Sequence, residues 1–128
     1  MTSEIIKLIL GSAAIKALVG ARVYPVALAT VKDPTYPCVA IDRGQSAGAY
    51  SSKQSQIGET PFRVTSCSKN PDEAETIQGY VITQLNGQSI GTTDVSGVVL
   101  LIQPLTLYSD EDQIYYATNG FSFRGKIQ

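Results

Sequence analysis

Asn70-Pro71-Asp72-Glu73-Ala74-Glu75-Thr76-Ile77-Gln78-Gly79-Tyr80-Val81-Ile82-Thr83-Gln84-Leu85-Asn86-Gly87 is the stretch on which the fold turns. Asn70 supplies a capping oxygen, and Pro71 suits the first helical position, where its missing N–H is not needed. Glu73 stands where a capping-box carboxylate reaches back to the cap. Ala74, Ile77, Val81 and Leu85 then recur at helical spacing and give one apolar stripe. Asn86-Gly87 ends the run. A single amphipathic helix is therefore expected here, and everything around it alternates with a period of two.

Before this helix, Phe62, Val64 and Ser66 alternate with Arg63, Thr65 and Cys67, a strand that opens near Ile57. After it, Val95 to Tyr108 is β-like, with Val98-Val99-Leu100-Leu101-Ile102 expected to be covered on both faces. Ser109-Asp110-Glu111-Asp112 forms a turn, and Gln113 to Ile127 returns as one long strand carrying a bulge near Asn119-Gly120. In that strand Phe121, Phe123 and Ile127 share one face, and Ser122, Arg124 and Lys126 the other.

Upstream, Ser3 is placed to cap a short helix with Glu4 in its first turn and Ile5, Leu8 and Ile9 as its stripe. Gly11 breaks this helix, and Ser12 can cap a second turn. Ala14, Leu18 and Val19 continue the buried face until Gly20 stops it. Arg22-Val23-Tyr24-Pro25 opens an extended segment to about Val31, which Pro25 confines to an edge or a bulge. Lys32-Asp33-Pro34-Thr35 is turn chemistry. Pro37 to Arg43 is a second strand, expected to be central. Gly44 to Gln56 is small, polar and aperiodic, so it reads as a long flexible loop. The order is helix, two strands, loop, strand, helix, two strands. This is an α+β fold, a mainly antiparallel sheet with an N-terminal helix and one central helix packed on it.

The 128 residues fit one domain, 1-128. Ten basic against eleven acidic residues leave none of the positive excess that non-specific nucleic-acid binding needs. An acidic N-terminus, an apolar run interrupted at Lys7 and no long apolar stretch argue against a signal peptide or a membrane span, and for a cytoplasmic protein. Histidine is absent, which removes the usual general base and the commonest metal ligand. No phosphate-binding loop, dinucleotide fingerprint or nucleophile elbow occurs. Cys38 and Cys67 fit no zinc spacing, and buried reduced thiols are the expected state, with a disulfide as the alternative.

Asp72, Glu73 and Glu75 are explained by the helix N-terminus they occupy. Asp110, Glu111 and Asp112 read as a solvated turn, or else as an acidic contact or a calcium site, though their spacing lacks a calcium loop's alternating ligands. No catalytic, cofactor-binding or metal residue emerges, and the chain is expected not to be an enzyme.

Leu18-Val19-Gly20-Ala21-Arg22-Val23-Tyr24-Pro25 resembles the opening of the tail-completion, or tail-terminator, family of long-tailed phages, whose members read Leu-Val-Gly-x-Arg-Ile/Val-Tyr-Pro after a short helix. Tyr36-Pro37 leading Cys38-Val39-Ala40-Ile41, Ile114-Tyr115-Tyr116 and Phe121-Ser122-Phe123-Arg124 fit the same scheme in order. Ser12, where such proteins often carry Asp, and Gly120, where they carry a polar residue, depart from it.

The resemblance implies a virion protein, made in the host cytoplasm, that forms a ring, usually of six copies. Such a ring docks on the last ring of tail-tube protein, stops its polymerisation and meets the head-side connector, with DNA passing through the lumen. Leu18, Gly20, Tyr24 and Pro25 would then be structural, fixing the helix-to-strand corner. Arg43, Tyr50 and Lys53 around the polar loop, and Asp110, Glu111 and Asp112 in the turn, become candidate partner contacts. The alternatives are another neck component, such as a head-closure or head-tail joining protein, or a small cytoplasmic ligand-binding module with an apolar pocket. A metal-dependent enzyme using Asp110–Asp112 is the least favoured reading.

Overall fold

In a computed structural model the described residues are 2–25, 35–43, 47–50, 56–91, 95–109 and 113–127. Helices α1 (Thr2–Leu10) and α2 (Ala13–Val19) precede strands β1 (Val23–Tyr24), β2 (Cys38–Arg43), β3 (Ala47–Tyr50) and β4 (Gln56–Ser68). Helix α3 (Pro71–Leu85), a short β5 (Ser89–Gly91), and the long β6 (Val95–Ser109) and β7 (Tyr115–Ile127) complete the chain. The strands form one sheet in the order β1-β2-β4-β7-β6-β5, with β3 also pairing β4. Every pairing is antiparallel except β1 with β2. The architecture is α+β, as the sequence predicts.

All three helices contribute to the main core, with α3 lying against β4, β7 and β6. Ile77, Val81 and Leu85 of its stripe are fully buried on Val64, Phe121 and Phe123 from the strands. Phe62 and Phe121, opposite in register, stack with ring centroids 5.5 Å apart. Gln78 is the polar member of the buried face. Its Nε2 donates to the Val64 carbonyl (2.9 Å) and to Asn119 Oδ1 (2.8 Å), and its Oε1 accepts from Ser66 Oγ (2.7 Å).

The start of α3 follows the sequence reading with one change. Asn70 Oδ1 accepts from the amides of Asp72 and Glu73, at 2.9 and 3.4 Å. Glu73, however, does not reach the cap amide; Ser68 stands between them. The Asn70 amide donates to Ser68 Oγ (3.1 Å), which donates onward to Glu73 Oε1 (2.7 Å). A hydroxyl ending β4 thus takes the place the capping box reserves for the carboxylate. Asn70→Ala is expected to lower stability by about 1 kcal/mol, the usual loss for a capping side chain, and urea unfolding measures it.

Two expectations at the N-terminal end are corrected. Helix α1 begins at Thr2, so Ser3 lies inside its first turn and donates to Glu4 Oε2 (3.0 Å) instead of capping. Ser12 does cap α2, accepting from the Ile15 amide. That restart resets the helical phase, so Ile15 and Val19, four apart, are buried and Ala14 is exposed. Of the extended segment after Gly20, Val23–Tyr24 form an edge strand, consistent with Pro25; 26–34, with the rest of that expectation and the Lys32-Asp33-Pro34 turn, lie outside the described residues.

Two further corrections concern the sheet. The polar stretch Gly44–Gln56 is not one loop, because Ala47–Tyr50 pairs with Gln56–Glu59 as a hairpin; 44–46 and 51–55 are not among the described residues. The bulges expected in the last strand belong to its partner. Between Leu101 and Gln103, and again between Gln103 and Thr106, β6 spends one residue more than β7, so Pro104 sits where the ladder is already interrupted.

Cys38 and Cys67 face each other in register, both buried, and neither is in a disulfide. The hydrogen bond with Cys67 holds the Cys38 thiol below its ordinary value, and Arg22's charge acts the same way against the opposing effect of burial. Both thiols are expected to resist an aromatic disulfide reagent in the native protein and to react fully in denaturant; reaction at native rates would contradict their burial.

Candidate interaction surfaces

The helix-to-strand corner comes first, because it carries the family-like motif. Gly20 takes φ +60° and its amide donates to the Lys16 carbonyl (2.8 Å), closing α2 in a conformation that suits glycine. Leu18 packs half-buried on the core, Tyr24 accepts from the Thr35 amide through its hydroxyl (3.4 Å), and Pro25 is exposed. The residue that ties the corner together is Arg22, which the sequence reading did not single out. Its Nε donates to the Pro37 carbonyl (2.8 Å) and its Nη2 to the Leu18 carbonyl (3.4 Å). A charged side chain between two apolar segments, next to a glycine that ends a helix, was the available signal.

Of the candidate contacts, Arg43 and Tyr50 are among the described residues. Arg43 ends β2 opposite Phe62, and Tyr50 ends β3 opposite Gln56. At the other end of β4, Ser68 pairs with Tyr115, the first residue of β7. Twelve positions along β4 separate Gln56 from Ser68, so at 3.3 Å per residue the two hairpin ends are roughly 40 Å apart. Arg43 and Tyr50 are not level with each other either: Phe62 and Gln56 are six positions apart along β4, about 20 Å. Lys53, Asp110, Glu111 and Asp112 themselves lie outside the described residues.

The face of the sheet away from the helices is polar at one end. Glu59 accepts from Arg124 Nε (3.1 Å) and Ser122 Oγ (2.9 Å), and the hydroxyl's hydrogen bond, then the guanidinium, hold its carboxyl below the usual range. A shallow depression of about 230 Å³ crosses the middle of the sheet between Asp42, Arg63, Gln103 and Gly120. Gln103 lies so close over Gly120 that an added Cβ would stand 2.6 Å from its Oε1. Gly120 is one of the two positions at which the sequence departs from the pattern it resembles, and the packing of Gln103 explains the glycine.

Strand β6 holds the surface that sequence reasoning missed. Val99 is buried, but Ile102, Leu105, Leu107 and Tyr108 are 46%, 37%, 39% and 50% exposed, so the apolar run is not covered on both faces. Its outer edge is paired by β5 only at Ser96–Val98. The turn after α3 then takes over, with the Gly87 amide on the Val99 carbonyl, the Val99 amide on the Gln88 carbonyl and the Leu101 amide on Asn86 Oδ1. Beyond Leu101 no strand covers that edge among the described residues. The signal in the sequence is the absence of any charge from Val95 to Ser109.

Among the described residues no helix is long and apolar enough to cross a membrane, and no three His, Cys, Asp or Glu side chains gather as a metal site. What the geometry defines is an α+β fold with three helices on one sheet face and an apolar strand edge left open. No protein-family model matches the chain, and a search of curated proteins finds no match. Among solved structures, the chain is similar to a chain of the virion of a native gene transfer agent particle. The likeness has a TM-score of 0.71 at 16% identity and covers 98% of this chain and 94% of that one. At that identity it establishes a shared fold.

Proposed function

We propose that this chain is a structural virion protein that forms a ring at the head-proximal end of a phage tail tube. The ring ends tube polymerisation and joins the tail to the head connector, with DNA passing through its lumen without sequence-specific binding. The observation that carries this reading is the end-to-end likeness to a virion chain, over nearly the full length of both molecules. Physical features support it. The open, apolar β6 edge is the kind of surface a ring-former covers with its neighbours. The two hairpin ends at opposite poles of the sheet suit a protein that meets one partner on each side. A near-neutral chain suits a ring that surrounds DNA without gripping it.

The test is tube growth. Purified chain added to polymerising tail-tube protein is expected to arrest elongation, and gold-labelled chain is expected at one end of each tube in electron micrographs. Tubes that grow to the same length and carry no label would overturn the proposal. Binding to the connector alone would assign the chain to another neck component.

A further inference from the structure

We infer that the open edge of β6 is a subunit interface that pairs antiparallel with the β2–β3 edge of a second copy of this chain. The inference rests on the ring reading and specifies how neighbours meet. Strands β2, β4, β7 and β6 alternate in direction across the sheet, so its two outer strands run opposite ways. An even number of alternating strands has a simple consequence. A second copy, turned about an axis along the strands and set beside the first, continues the antiparallel ladder without any strand reversing. Both edges are available among the described residues: β6 past Leu101, and on the opposite side β2 past Ala40 followed by β3.

Charge and apolarity select the occupant. Among the described residues, four of the five large exposed hydrophobics fall within seven residues of β6, and the strand carries no charge over its fifteen positions. A nucleic acid or a charged peptide finds no counter-charge there. Strand edges that are meant to stay unpaired normally carry lysine, and this one does not. Another copy, in a chain of net charge −1, brings a sheet edge with little electrostatic repulsion.

The stagger also fits closure. Gln103 is level with Arg63 of β4 through Gly120, and Ala47 is level with Glu59, four positions away along β4. A sheet closes at a tilt of about 36° when it shifts by about one residue per strand. Four strands per copy therefore call for a shift of about four, which brings Gln103 of one copy level with Ala47 of the next and Leu107 level with Arg43. Such a contact is head-to-tail, so it propagates beyond a dimer, and it ends as a ring where the rotation between copies closes.

Two edge variants and their mixture test this by native mass spectrometry over a concentration series, with circular dichroism confirming that each is folded. Leu107→Lys blocks the β6 edge, and Ala47→Pro removes a donor from the opposite edge. Wild type is expected to form a closed oligomer and each variant alone to be monomeric. An equal mixture is expected to give a one-to-one dimer that grows no further, since each variant keeps the edge the other lacks. A doubly substituted chain, Arg43→Cys with Leu107→Cys, is expected to cross-link into a ladder on mild oxidation, which keeps the test decisive should Ala47→Pro unfold. An Ala47→Pro oligomer like wild type would overturn the inference in favour of β6-to-β6 pairing; a wild type that stays monomeric even with tail tubes added, or a double-cysteine chain that does not cross-link there, would overturn it outright. Rings that persist in every variant would leave the proposed function standing and remove only this interface.

Discussion

Gly97→Ala is expected to lower the unfolding free energy by about 3 kcal/mol, at the upper end of what one added carbon does in a packed site. Gly97 and Gly125 are opposite one another in the β6–β7 ladder. A Cβ built on Gly97 would lie 2.3 Å from the Arg124 carbonyl oxygen and 2.7 Å from Cζ of Phe123, which is itself fully buried. Backbone cannot step aside as a flexible side chain can, so the strands must separate or the phenyl ring must leave the core. Gly125→Ala meets the Ser96 carbonyl oxygen at 2.2 Å and belongs to the same class. Gly79 provides the control of opposite sign. It lies exposed in α3 with nothing within 4 Å of a Cβ, so Gly79→Ala is expected to stabilise by about 0.5–1 kcal/mol through helix propensity. Urea titrations of the three variants give the signs directly; a neutral Gly97→Ala would mean that β6 and β7 are not so closely apposed.

The second large effect is at Gln78. Replacing it by leucine keeps volume and apolar contact but leaves Ser66 Oγ, Asn119 Oδ1 and the Val64 carbonyl each short of a partner in a dry site. Unsatisfied buried groups weigh more than the average hydrogen bond, so a loss of about 3 kcal/mol is expected. At this chain length the melting midpoint should fall by roughly 10 °C. The network continues through Asn119 Nδ2 to the Gln103 carbonyl (3.2 Å), which fixes β6 between its two bulges. Gln78→Leu is therefore also expected to raise hydrogen exchange at the β6 amides near Gln103. Gln84, which donates only to the Leu8 carbonyl from a half-buried position, is the comparison: Gln84→Leu is expected to lose about 1 kcal/mol. Equal losses at the two positions would show that the network has no special weight.

The elements that sequence could reveal are those in which burial alternates with exposure. Strand β4, the capped start and apolar stripe of α3, and the single long β7 were legible because Phe62, Ile77 and Phe121 recur at the periods of their elements. Strand β3 was not, since Ala47-Gly48-Ala49 offers no bulky side chain from which a period can be read, and β5 is three residues long. The phase slip between α1 and α2 hid Ile15 behind Ala14. In β6 the unbroken apolar run 98–102 reads as doubly buried, yet Val99 is buried and Ile102 is exposed.

The surface partners were harder still. Arg43 lies opposite Phe62, midway along β4, and Tyr50 opposite Gln56 at its start, a separation that only the strand pairing reveals. Arg22 acts through backbone carbonyls, and a side chain that serves the backbone leaves no pattern in the spacing of residues.

Whether the chain forms a ring is read from the absolute mass of the purified chain across a concentration series, with and without tail tubes. A discrete hexamer is expected, or a monomer that becomes one when tubes are added. A chain that stays monomeric at every concentration and ignores the tubes would contradict the ring.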